Sequence, residues 1–265
     1  MKNRNWKLSL SEIPIAYCLL PITTMYRKLL LSVLTTIVVT TAVYADAPES
    51  KPANAAAVPT KISSHHNARF KEKAAIVAAG GVNLVLLGDS ITHRLDSTGK
   101  TVQDKYLGEY KRVNLGFGGI GTHHLLWVLD NIDADAIHPK AVMLLIGTNN
   151  IGWLKQTPEM TIGGVEAVVT KVRALWPDAK LLVMGVFPRS ELPTDPSREK
   201  VRTVNAAISK LADGEHVFFM DIGDKFLNQD GVETRDILSD FVHPTIQGYE
   251  IWLGSVAPTL KEWLK

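Results

Sequence analysis

The sequence predicts an α/β fold in which a parallel sheet of about five strands is covered by helices on both faces. Two observations predict it. Five short apolar stretches, at 82–87, 112–115, 141–146, 181–186 and 217–222, are uninterrupted rather than alternating, as strands buried on both faces must be. Longer amphipathic stretches separate them, so strand and helix patterns alternate along the chain and the strands should run parallel.

Residues 64–79 open this series as a helix, with Phe70, Ala74, Ile76 and Val77 on one side and Gly80-Gly81 as its stop. The first strand runs directly into Gly88-Asp89-Ser90-Ile91-Thr92. After a helix near 101–109, the second strand leads into Asn114-Leu115-Gly116-Phe117-Gly118-Gly119. A helix near 121–131 precedes the third strand, which ends in Gly147-Thr148-Asn149-Asn150. The helix at 159–176 spaces Thr161, Glu166, Val169, Val172 and Leu175 as a sheet-covering helix does. The fourth strand, a helix at 197–213 and the fifth strand follow. Asp240-Phe241-Val242-His243-Pro244 then precedes a last helix at 245–264. No repeat, charge run or linker divides residues 61–265, which read as one domain.

With 46% hydrophobic and 21% charged residues, the 265-residue chain has globular composition. Its net charge of +2 is uneven: residues 1–45 hold Lys2, Arg4, Lys7, Arg27 and Lys28 against Glu12 alone, which leaves the remainder at −2. Such a body has no electrostatic footprint for nucleic acid. Arg27-Lys28 followed by an apolar run to Val43 and Ala42-Val43-Tyr44-Ala45 reads as a signal peptide cleaved after Ala45, with an uncleaved anchor as the alternative. The run is shorter than the ~20 residues of a comfortable membrane span. The expectation is a secreted or periplasmic protein with no stable membrane anchor after cleavage. Met25, just before the basic pair, is an alternative start, with residues 1–24 then an upstream extension. Residues 46–60 read as a flexible mature N-terminus. The only cysteine, Cys18, lies in the leader, so the mature chain has no disulfide, thiolate metal ligand or thiol nucleophile.

In a parallel sheet the ligand crevice lies at the carboxyl ends of the strands. That places the segments carrying Ser90, Gly119 and Asn149 on one edge. A serine hydroxyl needs a base to take its proton. His243 is the candidate base, and Asp240, three residues earlier, can hold the Nδ1–H and stabilise the imidazolium. The backbone N–H groups of Ser90 and Gly119 and the Asn149 amide are candidate oxyanion donors. Each segment also has a structural explanation: Asp89 or Ser90 as a helix cap, the glycines as a tight turn, Asn149 as a cap, and Asp-x-x-His as a loop entering a helix.

Gly116 to Gly121 also satisfies G-x-G-x-x-G after a strand, a dinucleotide fingerprint. The acidic residue expected at the end of the next strand is absent, and the pattern follows the second strand rather than the first. Hence no cofactor is expected, and no metal. His123, His124 and Trp127 could line an acyl pocket, though helix packing explains Trp127 as well. Adjacent histidines on a helix should project in different directions. Arg189, after the fourth strand, could meet a substrate carboxylate or hydroxyl, and a surface charge or an internal salt bridge is the plainer reading. His65, His66, His93, His138 and His216 show no partner pattern.

From Val82 onward the chain resembles the GDSL/SGNH hydrolase superfamily, and within it the catalytic subunits of platelet-activating-factor acetylhydrolase and their bacterial relatives. Besides the four segments, the resemblance includes His124-Leu125-Leu126-Trp127, Phe187-Pro188-Arg189, Arg198-Glu199-Lys200, Val204-Asn205 and Gly248-Tyr249. It implies a flavodoxin-like three-layer α/β/α sandwich. It also implies a triad of Ser90, Asp240 and His243, and an oxyanion hole of Ser90, Gly119 and Asn149. Ile120 stands where those relatives usually have aspartate, and Val128 where they have arginine, so substrate preference and dimer contacts do not carry over directly. A homodimer remains open. The expected activity is a metal-independent serine esterase releasing short acyl groups, acetyl above all, from a small-molecule or carbohydrate ester. The alternatives are a lysophospholipase or thioesterase of the same fold, and a non-catalytic carbohydrate-binding or interaction module.

Overall fold

All five strands occur, and all neighbouring pairs are parallel. The computed structural model describes residues 54–265, so the leader expected over residues 1–45 lies outside it. In chain order the elements are α1 (Asn67–Ala78), β1 (Leu84–Gly88), α2 (Ser90–His93), α3 (Lys100–Leu107) and β2 (Arg112–Gly116). Next come α4 (Thr122–Asp130), β3 (Ala141–Leu145), α5 (Thr148–Ile151), α6 (Pro158–Leu175) and β4 (Lys180–Met184). The chain ends with α7 (Pro196–Ile208), β5 (Val217–Met220) and α8 (Ile246–Leu264).

The strand order is β2-β1-β3-β4-β5, the flavodoxin-like order. Side chains alternate between two cores, as the period of a strand requires. Val85 and Leu87 of β1, with Val142 and Leu144 of β3, join Val77, Leu125, Val168 and Val204 on one face. Leu84, Leu86, Ala141 and Met143 join Leu107, Trp252, Leu253 and Val256 on the other. Helices α1, α4, α6 and α7 therefore cover one face, and α2, α3 and α8 the opposite face. The strands are apolar throughout because both faces are packed. Edge strand β5 shows the converse, with only Val217 buried.

Three details depart from the sequence reading. On α1, Lys73 is buried in place of Ile76, which is 37% exposed. The Lys73 ammonium is drawn in by Asp96 at 2.9 Å, a charge pairing that hydrophobic periodicity cannot register. Within the stretch read as a flexible N-terminus, the described residues are docked. Ala56 is fully buried, its carbonyl accepts from Thr122 Oγ1 at 2.7 Å, and Asn54 Nδ2 donates to the Met160 carbonyl at 2.9 Å. Finally, His123 and His124 do not diverge; their ring centroids lie 3.9 Å apart. Ile120 and Val128 are both core residues.

Candidate active site

Going from β1 to β3 the chain changes the direction in which strands are added, so the loops after these strands part and leave a crevice. The four segments meet there. Gly88 ends β1 where there is no room for a side chain: a Cβ would stand 2.4 Å from the Leu145 carbonyl. Asp89, fully buried, caps α2 by accepting the Ile91 N–H at 2.9 Å, and Ser90 becomes the first helical residue. An N–H at that position has no acceptor within its own helix. Of the two candidate caps Asp89 is the one used, and the Ser90 side chain takes no part in capping. Burial raises the pKa of Asp89 to about 7, against the opposing effects of the Ile91 N–H and Arg189.

Ser90 Oγ lies 2.7 Å from His243 Nε2, and His243 Nδ1 lies 2.8 Å from Asp240 Oδ2. The D-x-x-H loop achieves this by turning sharply: Phe241 has φ 61°, and Asp240 Oδ1 accepts the N–H groups of Val242 (3.2 Å) and His243 (2.8 Å). Ser239 N–H donates to the His243 carbonyl at 2.9 Å, and Thr245 caps α8. Asp240 is half exposed. Burial raises its pKa, but the hydrogen bonds from His243 outweigh that and hold the carboxyl below its usual range.

After β2 the chain folds back over β1, with the Phe117 N–H donating to the Gly88 carbonyl at 3.2 Å and the Phe117 ring fully buried. Gly119 follows with φ 70° and nothing within 4 Å of where a Cβ would stand. Left-handed backbone of this kind is routine only for glycine. Among the described residues its N–H has no protein acceptor. Asn149, on the turn that opens α5, donates from Nδ2 to the Ile120 carbonyl at 2.9 Å, which ties the third segment to the second. An amide carries two N–H donors, so one remains. The structure therefore brings Ser90, Asp240 and His243 into one hydrogen-bonded chain, with Gly119 and Asn149 adjoining each other.

Several supporting residues were not legible as such in the sequence. Asn150, fully buried, accepts the Thr122 N–H at 3.2 Å and donates to Thr122 Oγ1 at 2.8 Å and Gln156 Oε1 at 2.7 Å, which clips α5 to the start of α4. Arg189 is not a free surface charge, and among the described residues it makes no ion pair: its Nη1 donates to the Thr148 carbonyl (2.5 Å) and Oγ1 (3.1 Å). His66 Nε2 lies 3.0 Å from the Gly118 carbonyl, and Arg69 donates to the carbonyls of Gly116 (2.8 Å) and Asn114 (3.2 Å). His124 Nδ1 accepts the Gly121 N–H at 3.2 Å, while Trp127 packs on Phe70 rather than standing free. Burial lowers the pKa of His66 and His123, and brings His93 and His124 down to about 4.

The chain is similar to known proteins. Residues 86–251 match the GDSL-like Lipase/Acylhydrolase family. The human platelet-activating factor acetylhydrolase IB subunit alpha1 is 34% identical over 167 residues, 63% of this chain and 70% of that protein. A solved GDSL-like lipase from Bacteroides thetaiotaomicron superposes with a TM-score of 0.62 at 19% identity, covering 74% of this chain and 98% of the other. An acetylxylan esterase from Geobacillus stearothermophilus does so with a TM-score of 0.53 at 16% identity, covering 70% and 94%. At these identities the two structures speak for the fold.

Proposed function

The chain belongs to the GDSL-like Lipase/Acylhydrolase family and is a serine ester hydrolase, and from that premise we propose that it removes short acyl groups, acetyl above all, from oxygen esters of carbohydrates through an acyl-enzyme on Ser90. The observation that carries this is the hydrogen-bonded chain Ser90–His243–Asp240, at 2.7 and 2.8 Å. Neutral His243 accepts the Ser90 proton on Nε2 as Oγ bonds to the ester carbonyl carbon. Asp240 holds the Nδ1–H and stabilises the imidazolium. The negative charge that develops on the carbonyl oxygen faces the Ser90 and Gly119 N–H groups and the second Asn149 N–H. One such donor is worth roughly 3–4 kcal/mol of barrier in a serine protease. The C–O bond then breaks, and the alcohol leaves with the proton from His243. Water, deprotonated by the same imidazole, attacks the acyl carbon; the acyl C–Oγ bond breaks, Oγ takes the proton back from His243, and the acid is released.

Two findings support the finer reading. The acetylhydrolase subunit above is named for acetyl release, and Trp153 is 77% exposed on the turn just after Asn149. That turn is fastened to the site, with the Leu154 N–H donating to the Asn149 carbonyl at 2.8 Å. A large apolar face with a polar edge, held in water beside the site, suits the mixed surface of a sugar ring. Export through the proposed leader would bring the enzyme to acetylated polysaccharides.

The test has two parts. Ser90→Ala should abolish hydrolysis of 4-nitrophenyl acetate and labelling by a fluorophosphonate, with the far-UV spectrum unchanged. A folded Ser90→Ala enzyme with wild-type turnover would overturn the reading. On the intact enzyme, kcat/KM should fall steeply from acetyl to octanoyl esters. The opposite trend would favour a lysophospholipase or thioesterase.

A further inference from the structure

We infer that His66, which enters the site from outside the matched family region, is a positioning residue that aims the Gly119 N–H at the developing oxyanion. The inference rests on the proposed role of Gly119. A peptide group is planar and trans, so its C=O and N–H point in opposite directions. The Gly118 carbonyl and the Gly119 N–H belong to one such group. Fixing the carbonyl on one side fixes the direction of the N–H on the other.

His66 Nε2 is 3.0 Å from that carbonyl oxygen. A carbonyl only accepts, so Nε2 carries the proton and donates. The imidazole is itself immobilised. It is 7% exposed, and it meets the buried Phe117 ring edge-on at 5.7 Å and 77°. A Cβ on Gly118 would stand 3.9 Å from His66 Cε1 and 3.8 Å from His93 Nδ1, so the loop rests on two rings. Three residues along, Arg69 holds the carbonyls of Gly116 and Asn114. The start of α1 therefore grips alternate carbonyls of the β2 edge and of the loop that continues it. The loop needs that grip. Gly119 is exposed, sits at φ 70° and has open space around it, so no packing of its own holds the peptide plane. Without a donor on the Gly118 oxygen, the plane is free to turn and the N–H loses its aim.

The experiment compares His66→Gln with His66→Met. The two side chains have similar length and volume, but only glutamine offers a donor near the position of Nε2. For 4-nitrophenyl acetate, His66→Met should lower kcat by about tenfold or more, a part of the 10²–10³-fold loss that follows removal of an oxyanion donor. KM should stay within about twofold, because the loss falls on the transition state. His66→Gln should recover most of that kcat. Affinity for a boronic acid, whose tetrahedral adduct carries the oxyanion charge, should fall with kcat in His66→Met and recover in His66→Gln. Equal kcat in the two variants, measured below both melting temperatures, would overturn the inference. Ser90→Ala separates the two levels: if it is inactive while His66→Met keeps full turnover, only the role of His66 falls. If Ser90→Ala retains full turnover, the catalytic reading falls with it.

Discussion

In the proposed mechanism Asp240 and Gly119 act in different ways on the same step, and substitutions separate them. Asp240 uses both oxygens: Oδ1 holds the loop through the Val242 and His243 N–H groups, and Oδ2 holds the imidazole at 2.8 Å. In Asp240→Asn one of these becomes an amide donor. Facing Nδ1, it forces the tautomer whose Nε2 is already protonated and cannot take the Ser90 proton. The expected loss in kcat is roughly 10⁴-fold, smaller than the roughly 10⁶-fold loss from removing the serine or the histidine. Steady-state kinetics on the three variants checks this, and full activity in Asp240→Asn would remove it from the relay. Gly119→Ala is a different test. There is nothing for the methyl to strike, so its cost is the left-handed backbone alone, about 1–2 kcal/mol. The loop can relieve this only by rotating the donor peptide. The outcome should be a lower kcat at nearly constant KM, and an unchanged kcat would show that the Gly119 N–H is not needed.

At the scale of elements, α5 decides where Asn149 stands. It has only four residues, too few for a hydrophobic period, and for the same reason both it and α2 were invisible as helices in the sequence. What holds α5 is polar and comes from afar: Asn150 to Thr122, and Arg189 from the loop after β4 to Thr148. Arg189→Met keeps the apolar stem but removes both bonds that Nη1 makes to the carbonyl and Oγ1 of Thr148. A fall in kcat of about tenfold with a modest change in melting temperature is expected. A melting shift alone would make Arg189 structural. The same distance effect explains why His66 carried no signal. Its partner is a backbone carbonyl 52 positions away, and no spacing rule connects a side chain to a distant main-chain group. Asp240, His243, Ser90 and the glycine loop were legible because each lies in a short segment whose chemistry is local. Trp153 tests the carbohydrate reading at this scale. Trp153→Ala should raise KM on an acetylated xylo-oligosaccharide several-fold and leave 4-nitrophenyl acetate untouched, measured as acetate release. Equal effects on both would argue against a sugar platform.

Across the whole molecule, the sheet was legible because each strand is buried on both faces and its residues say so, whereas the polar stitching between loops was not. The clearest stitch is the pair Arg198–Glu233, 3.1 Å apart with side chains 4% and 0% exposed. Arg198, on α7, also donates to the Gly231 carbonyl, and the Glu233 N–H donates to the Glu191 carbonyl at 3.0 Å. The stretch that continues to Asp240 and His243 is thereby pinned to α7. Glu233 Oε2 is buried without a partner among the described residues, so ionisation is expensive there. Burial raises its pKa to about 8, with Arg198 opposing, against 4.5 for an unburied glutamate. Between those values the folded protein holds a proton that the unfolded chain gives up, so stability declines as pH rises from about 4.5 to 8. Asp89, raised to about 7 from 3.8, contributes a decline of the same sign that ends about one pH unit lower. Asp89 is the same in a Glu233 variant, so the difference between variant and parent in the upper part of this range, pH 7 to 8, isolates Glu233. In Glu233→Gln, which keeps an acceptor for Arg198 but cannot ionise, urea midpoints should be flatter across that interval than in the parent protein. If both proteins lose stability equally between pH 7 and 8, Glu233 does not hold its proton in the folded state.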